Sequence, residues 1–286
     1  MTNYKLQNRE KIMDVKCIAL DLDGTTLKDD KTISDRTKYV IERAAEYGVH
    51  IVIATGRCFD SLPDCIRQIK GIEYAVTLNG AAIYNMREKI CIRKFSISEN
   101  AVNKIVDYAQ SVPCAIEVFY DGKAYADKEY INAPCVYGIP ENMAGYIKST
   151  RNGVENIAAF ALNHKNELDC IDILLKEKEK TDDLYSFLEE IKSEIYVTTS
   201  VDNRIEISSW EAGKHTGLQY VLELLGADKS QAAAFGDENN DVEMLKFVKY
   251  GMAVENASKK CLDAAWKIVP SNIHDGVALG IEELIN

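Results

Sequence analysis

One stretch decides the fold: Cys17-Ile18-Ala19-Leu20-Asp21-Leu22-Asp23-Gly24-Thr25-Thr26-Leu27. The apolar run that begins at Val15 soon reaches a turn signal, which favours a short buried strand over a helix. Two aspartates, a glycine and two threonines follow it. In an extended backbone Asp21 and Asp23 would point to the same side. Because two carboxylates held so close repel each other, we expect this strand end to hold a cation.

This stretch alone also fits a plain strand end with a turn, or the calcium-binding loop of an EF-hand. The calcium loop needs a glutamate near its end. Lys31 and Thr32 stand at that point of this chain, so an EF-hand is disfavoured.

Composition limits the class of protein. A chain of 286 residues suggests two domains rather than three, and 47% hydrophobic with 28% charged residues is typical of soluble globular proteins. The net charge of -11 disfavours nucleic acid or an anionic membrane as a partner. No apolar run approaches the roughly 20 residues of a membrane span. No residue pattern indicates the oligomeric state.

The N-terminus and the cysteines point to the cytoplasm. Residues 1–13 are predicted to be a polar arm, because the first dozen lack the apolar core of a signal peptide. The eight cysteines form no C-x-x-C pair. Free thiols, mostly buried, in a reducing cytosol explain them better than disulfides or zinc.

Both ends of the chain alternate apolar strands with amphipathic helices, which is the pattern of a parallel α/β sheet. The predicted elements up to position 78 are a helix capped by Ser34, a strand at 49–54, a helix at 59–69 and a strand at 74–78. The parallel pattern is expected to return at 204–207. A helix from 214 to 225, a strand at 232–235 and further short elements then follow.

The middle of the chain has a different rhythm, with alternating strands typical of antiparallel sheets. A hairpin is predicted around Asp121-Gly122, and residues 127–157 have no assignment. The other predicted elements are strands at 90–95 and 170–175 and helices at 98–110 and 181–191. An inserted domain explains the interruption, so we predict an α/β core at 1–85 and 205–286 and an α+β domain at 86–204.

Polar side chains follow three predicted strands, at Asp21, Thr55 and Asp237. Because ligands bind at the carboxyl ends of parallel strands, the sheet is expected to bring them together. Gly236-Asp237-Glu238-Asn239-Asn240-Asp241 holds three acids in six residues, which calls for a cation unless it is only an acidic helix start. Such oxygen ligands suit Mg²⁺ better than zinc.

A lysine stands where the helix macrodipole disfavours a cation. Lys214 begins a predicted helix. Its charge is therefore expected to interact with a negative group nearby, unless Lys214 is an ordinary surface lysine. Thr55 on its own also fits a simple helix start.

The order of these motifs resembles the haloacid dehalogenase (HAD) phosphotransferase superfamily. DxDGT at Asp21, a lone Thr55, Lys214 and GDxxND at Gly236 occur in the family's order. Asn79-Gly80-Ala81 and Asp275-Gly276-Val277-Ala278 also look like the Cof-type subfamily, whose C2B-type cap is inserted between the second and third motifs. His215 departs from the pattern, because the family usually has a small residue there.

The resemblance implies a Rossmann-like HAD core with a parallel sheet, an α+β cap and a set of residue roles. Asp21 would be the nucleophile that becomes an aspartyl phosphate, and Asp23 the general acid and base. Asp241 would stabilise the site without binding the metal itself, or it would orient Lys214. The Mg²⁺ ligands would be Asp21, Asp23 (through its backbone carbonyl) and Asp237, and the phosphoryl-binding residues Thr55, Lys214 and Asn240.

The implied function is a Mg²⁺-dependent phosphatase acting on a small phosphorylated metabolite, with a sugar phosphate as the expected substrate. One alternative is a phosphotransferase similar to phosphomannomutase, which would pass the phosphoryl group to a second sugar hydroxyl. The other is a sensor that binds a phosphometabolite without turnover. Intact Asp21 and Asp23 argue against the sensor, since a binder needs no nucleophile.

Overall fold

A computed structural model describes residues 14–176, 181–199 and 204–285. It divides into two compact units, which we number in chain order. The first unit comprises Met1–Ile53, Asp64–Glu73 and Gln219–Asn286, and the second comprises Ala54–Pro63 and Tyr74–Leu218. The predicted arm at residues 1–13 lies outside the described residues.

The first unit contains a parallel sheet, as its apolar strands predicted. The strands are β1 Cys17–Leu20, β2 His50–Ala54, β12 Ala232–Gly236, β13 Tyr250–Val254 and β14 Lys267–Val269. Their order is β14-β13-β12-β1-β2, and each neighbouring pair is parallel. In register, Leu20 lies opposite Phe235 on one side and Ile53 on the other. The ends of β1 and β12 are therefore neighbours.

The helices of the first unit include α1 Asp35–Glu46, α2 Asp64–Arg67, α9 Val242–Phe247, α10 Lys259–Ala264 and α11 Gly276–Ile285. The predicted cap of α1 is confirmed, because the Ser34 hydroxyl accepts a hydrogen bond from the Thr37 N–H at 3.0 Å. Helix α1 packs against α11. Among the described residues, no helix has the length and apolar character that a membrane span requires.

The single helix predicted at 59–69 is wrong. A short 3-10 helix, Phe59–Ser61, is followed by an extended residue, Leu62, with φ -63° and ψ 130°. Pro63 comes next, and a proline forces the residue before it out of the helical region. Helix α2 starts only after this break.

The second unit contains antiparallel strands, as the alternating pattern in the middle of the chain predicted. Strands β3 Ile72–Thr77, β4 Ala82–Asn85 and β5 Ile90–Lys94 pair antiparallel in that order. The strand expected at 74–78 was assigned to the parallel pattern, yet it pairs antiparallel with β4. The remaining strands are β6 Cys114–Tyr120, β7 Lys123–Asp127, β8 Arg151–Val154, β9 Cys170–Leu175, β10 Ile195–Thr198 and β11 Arg204–Ser209. They form a six-stranded sheet in the order β10-β11-β9-β6-β7-β8, with only β7 and β8 parallel.

The parallel strand expected at 204–207 is wrong, because β11 pairs antiparallel with both β9 and β10. Its sequence alternates, with Ile205 and Ile207 in the apolar core and Glu206 between them. That alternation gives the strand one apolar and one polar face, as is common in antiparallel sheets. The predicted domain boundaries at 85/86 and 204/205 stay a prediction.

Helices cover both faces of the six-stranded sheet. The second unit contains α3 Glu99–Ser111, α4 Lys128–Asn132, α5 Glu141–Thr150, α6 Ile157–Asn163 and α7 Thr181–Glu190, and α8 spans Lys214–Leu225. Apolar residues of α3, α6 and α7 pack on one face, and those of α4 and α5 pack on the other. The unassigned residues 127–157 contain α4, α5 and β8, short elements with a weak apolar pattern.

The second face also carries a row of three buried acids, Glu117, Asp172 and Glu206, which lie opposite one another on β6, β9 and β11. Like charges in such positions destabilise a sheet unless they are compensated. The guanidinium of Arg151 lies 2.6 Å from Glu117, and that of Arg204 lies 3.6 Å from it. Burial alone would raise the pKa of Glu117, but the charges of these two arginines lower this pKa to about 2. Burial, followed by the charge of Glu206, raises the pKa of Asp172 well above its usual value.

The fully buried Asp169 predicts a pH dependence of stability. Burial raises the pKa of Asp169 to about 6, although Lys94 Nζ lies 3.0 Å from its Oδ1. Between these two pKa values the folded state keeps a proton on Asp169 that the unfolded state has released. The contribution of protonated Asp169 to the free energy of unfolding is therefore complete below about pH 4 and disappears as the pH rises to about 6. Asp169→Asn should remove this dependence, which amounts to about 3 kcal/mol.

Urea unfolding of the wild type and the variant between pH 4 and pH 7 measures this difference. Asp107→Asn makes the same chemical change at an exposed position on α3 and should show no such trend. A constant stability difference between the wild type and Asp169→Asn over this range would contradict the prediction.

Candidate active site

The loop after β1 positions Asp21 through backbone hydrogen bonds. The Asp21 N–H donates to the Phe235 carbonyl at 3.1 Å, and the Thr26 hydroxyl donates to the Asp21 carbonyl at 2.5 Å. The N–H groups of Thr25 and Thr26 both donate to the Leu22 carbonyl. Asp21 is thus 5% exposed at the base of a tight turn. The strand itself ends at Leu20, before the two aspartates.

Asp23 has a more open environment than Asp21. Its carboxylate is 37% exposed, and Lys31 Nζ lies 3.0 Å from its Oδ1. Its backbone forms an isolated bridge with Leu27. The loop therefore places one carboxylate inside the protein and the other within reach of solvent.

The loop after β12 holds the second set of predicted residues. Asp237 is 7% exposed, Asn240 6% and Asp241 0%. The carboxylate of Asp241 accepts hydrogen bonds from the N–H groups of Asp237 and Glu238, each at 3.1 Å. The Thr25 hydroxyl donates to Asp237 Oδ1 at 2.6 Å and so joins this loop to the loop after β1.

The two loops bring three carboxylates together. Asp21, Asp237 and Asp241 each offer an oxygen within 4.8 Å of the others, and all three residues are buried. Buried carboxylates so close would repel each other strongly without a counter-charge, and their hard oxygens suit a divalent cation. The space beside them is tight, since a Cβ on Gly24 would lie 2.2 Å from Asp237 Oδ2. The residues present therefore fit a metal ion.

The group differs in membership from the predicted ligand set. Asp21 and Asp237 belong to both sets, and Asp241, predicted to act from outside the ligands, lies within the group. Asp23 was predicted to bind through its backbone carbonyl, so its partly exposed carboxylate does not bear on that role. The individual ligand roles stay predictions.

The second unit contains the two other predicted phosphoryl-binding residues, both of them buried. Thr55 is 1% exposed, and its hydroxyl accepts a hydrogen bond from the Arg57 N–H at 3.2 Å. Lys214 is 1% exposed and is the first residue of α8. A surface lysine would be solvated, so this burial excludes the simpler interpretation of Lys214 and supports a local use for its charge.

Sequence reasoning missed two contributors. Thr25 belongs to the opening stretch, yet its bond to Asp237 depends on the neighbouring strand β12. Asn79 had no assigned role, although its left-handed backbone (φ 53°, ψ 31°) is a strained conformation often found at functional sites. The sequence signals were the Asn-Gly pair, which usually marks an ordinary turn, and the resemblance of Asn79-Gly80-Ala81 to the Cof-type subfamily, which gave Asn79 no role.

Comparison with known proteins agrees with the fold and identifies the family. The family model described as haloacid dehalogenase-like hydrolase matches residues 18–281. A Bacillus subtilis protein, the 5-amino-6-(5-phospho-D-ribitylamino)uracil phosphatase YitU, is 29% identical over 279 residues, covering 93% of this chain and 96% of that protein.

Two solved structures share the fold over nearly the whole chain, which confirms the predicted α/β class. The HAD phosphatase BT1666 from Bacteroides thetaiotaomicron has a TM-score of 0.80 at 23% identity, covering 98% of each chain. The HAD subclass IIB sugar phosphatase BT4131 has a TM-score of 0.77 at 18% identity, covering 94% of this chain and 98% of that one.

Proposed function

This chain belongs to the haloacid dehalogenase-like hydrolase family, as a phosphatase of the Cof type, and we propose that it hydrolyses a small phosphorylated metabolite through an aspartyl-phosphate intermediate with Mg²⁺ as cofactor. The observation that carries this proposal is the convergence of Asp21, Asp237 and Asp241 at the ends of two adjacent strands. Buried carboxylates that are distant in the sequence and meet only in the fold favour a charged ligand over a purely structural role.

Asp21, Asp237 and the backbone carbonyl of Asp23 would hold the ion, with Asp241 beside them. Bound Mg²⁺ would supply the positive charge that offsets the repulsion between a carboxylate and a phosphate dianion. Mg²⁺ is preferred over zinc because the group contains oxygen donors only.

Two aspartates divide the chemistry. The Asp21 carboxylate attacks phosphorus, so that a bond from its oxygen to phosphorus forms while the bond to the ester oxygen breaks. Asp23 gives its proton to the departing oxygen and later takes one from the water that attacks the phosphorus. That second attack releases orthophosphate and regenerates both side chains. The partial exposure of Asp23 supports this role, because it can exchange protons with solvent.

Binding of the phosphoryl group is assigned to Thr55, Lys214 and Asn240. The Thr55 hydroxyl and the Asn240 amide would donate hydrogen bonds to phosphoryl oxygens, and the Lys214 ammonium would balance their charge. The burial of all three side chains supports these roles, because hydrogen bonds and charge interactions are stronger away from bulk water.

The substrate is proposed to be a phosphate ester of a sugar or a sugar alcohol. YitU is named for a phosphoribityl compound, and BT4131 is described as a sugar phosphatase. A cytoplasmic location is proposed because none of the eight cysteines forms a disulfide.

Phosphate release from a panel of esters tests the proposed function. The panel should contain hexose phosphates, a 5-phosphoribityl compound and p-nitrophenyl phosphate, with the full chain assayed in Mg²⁺. We expect orthophosphate from at least one ester, silence after EDTA and recovery when Mg²⁺ is restored. Asp21→Asn gives the background rate. An isomeric hexose phosphate as product would indicate a phosphotransferase, and no turnover of any ester would contradict the proposal.

A further inference from the structure

The turn after β3 has an unusual backbone. Leu78, Asn79 and Gly80 have consecutive positive φ angles of 50°, 53° and 101°. This conformation is costly for a leucine, although asparagine and glycine adopt it more readily, and it persists only when its surroundings hold it in place. The contacts of this turn therefore show which segments hold it in this conformation.

One side of the turn holds the segment that contains Thr55. The Asn79 N–H donates to the Thr55 carbonyl at 3.0 Å, and the Leu78 N–H donates to the Arg57 carbonyl at 3.0 Å. The Thr55 N–H donates in turn to the Val76 carbonyl at 2.9 Å. Three backbone hydrogen bonds thus fix the Thr55 segment against residues 76–79.

The other side of the turn lies against the start of α8. A Cβ on Gly80 would be 2.1 Å from the carbonyl oxygen of Gly213, the residue directly before Lys214. A Cβ on Gly217 would be 2.4 Å from Val76 Cγ1. Residues 76–80 therefore hydrogen-bond to the Thr55 segment and also pack against the start of α8, where Gly80 and Gly217 leave room for the close approach.

The Asn79 side chain connects this turn to the six-stranded sheet. Its Nδ2 donates to Glu206 Oε2 at 2.6 Å, and the two residues are 2% and 6% exposed. A buried hydrogen bond to a carboxylate is stronger than one between neutral groups. Glu206 lies on β11 in the row of buried acids, where the sheet fixes its backbone. The strained turn is thereby held from its outer side as well.

We propose that Asn79 is a positioning residue which, through its bond to Glu206, sets the placement of Thr55 and Lys214 for phosphoryl binding. This inference rests on the proposed function, from which the roles of Thr55 and Lys214 are taken. Neither Asn79 nor Glu206 needs to touch the substrate. A displacement of about 1 Å in a phosphoryl-binding group can cost about 100-fold in rate, so a turn that sets two such groups has a large effect.

A donor–acceptor swap tests the inference. Asn79→Asp replaces the hydrogen bond to Glu206 with two carboxylates that face each other. The backbone should not change, because aspartate, like asparagine, tolerates the left-handed conformation. Adding Glu206→Gln restores the bond in the opposite direction with the same number of carboxylates. On the best ester of the panel, Asn79→Asp should lower kcat/KM by about 30- to 100-fold. The double variant should return to within about threefold of the wild type.

Two further measurements separate positioning from loss of structure. Urea midpoints show whether each variant is folded, and calorimetric titration with orthophosphate reports phosphoryl binding without turnover. Asn85→Asp is the matched control, because Asn85 Oδ1 accepts hydrogen bonds from the Arg87 and Glu88 N–H groups and an aspartate keeps this acceptor. It should leave kcat/KM unchanged. If Asn79→Asp folds poorly, Asn79→Gly keeps the backbone and removes the side chain, and should show the same loss.

The outcomes distinguish this inference from the proposed function. A folded Asn79→Asp variant with unchanged kcat/KM and phosphate affinity would overturn the inference while turnover by the wild type stands. A double variant that regains stability without regaining kcat/KM would overturn it too. If the wild type hydrolyses no ester, the proposed function fails. Orthophosphate affinity that falls in Asn79→Asp and recovers in the double variant would still support the positioning role.

Discussion

The Asp21→Asn variant is expected to lose phosphate release by at least about 10⁴-fold while remaining folded. An amide cannot attack phosphorus as a carboxylate does, so the first step of the proposed reaction has no nucleophile. The fold should tolerate the change, because Asp21 makes these bonds with its backbone: its N–H donates to the Phe235 carbonyl, and its carbonyl accepts from the Thr26 hydroxyl. Removing one of three clustered carboxylates also lowers their mutual repulsion.

Phosphate release, together with mass spectrometry of acid-quenched enzyme, measures this result. The wild type should yield a phosphorylated peptide that contains Asp21, and the variant should not. Asp263→Asn, the same change at an exposed position on α10, should keep full activity. Retained activity of Asp21→Asn would remove this residue from the nucleophile's role.

The Asp237→Asn variant is expected to need at least about 100-fold more Mg²⁺ for half-maximal activity. The change removes a negative charge from the buried group while keeping the side-chain size and an oxygen that can accept the Thr25 hydroxyl. The loss should therefore reflect metal binding rather than packing. Mg²⁺ should also raise the Tm of the wild type and have little effect on the variant, because a ligand stabilises only the state that binds it.

Activity and Tm titrated against Mg²⁺ provide the two measurements. Glu238→Gln is the matched control, since Glu238 is the neighbouring acid of the same loop but lies outside the group of three carboxylates. Its Mg²⁺ dependence should equal that of the wild type. An unchanged Mg²⁺ midpoint in Asp237→Asn would exclude this carboxylate as a ligand.

Local signals predicted much of the secondary structure. The Ser34 cap, the hairpin turn at Asp121-Gly122 and the strand β9 all lie where the sequence placed them. Each depends on residues next to one another in the chain: a side chain that caps a helix, a turn that needs positive φ, and an apolar run. The break at Pro63 is also a local signal, although the predicted helix ignored it.

Strand direction was harder to predict. Ile205 and Ile207 alternate with polar residues, which indicates a strand but not its neighbours. Strand β11 is antiparallel because β9 and β10 lie on its two sides, and that arrangement depends on distant residues. The buried acids Glu117 and Asp172 were missed for the same reason, since their proximity exists only across paired strands.

The sequence by itself determined the local elements of this protein and the motif residues at their ends, because turns, caps and apolar runs depend on neighbouring residues. The predicted meeting of Asp21 and Asp237 is confirmed, but only the tertiary structure decided that Asp241 joins them, because this group requires β1 to pair with β12. It also decided the contact of Asn79 with Glu206 and the burial of Lys214. The physical reason is that burial and charge proximity depend on which strands and helices pack together, and that choice is made by the whole chain.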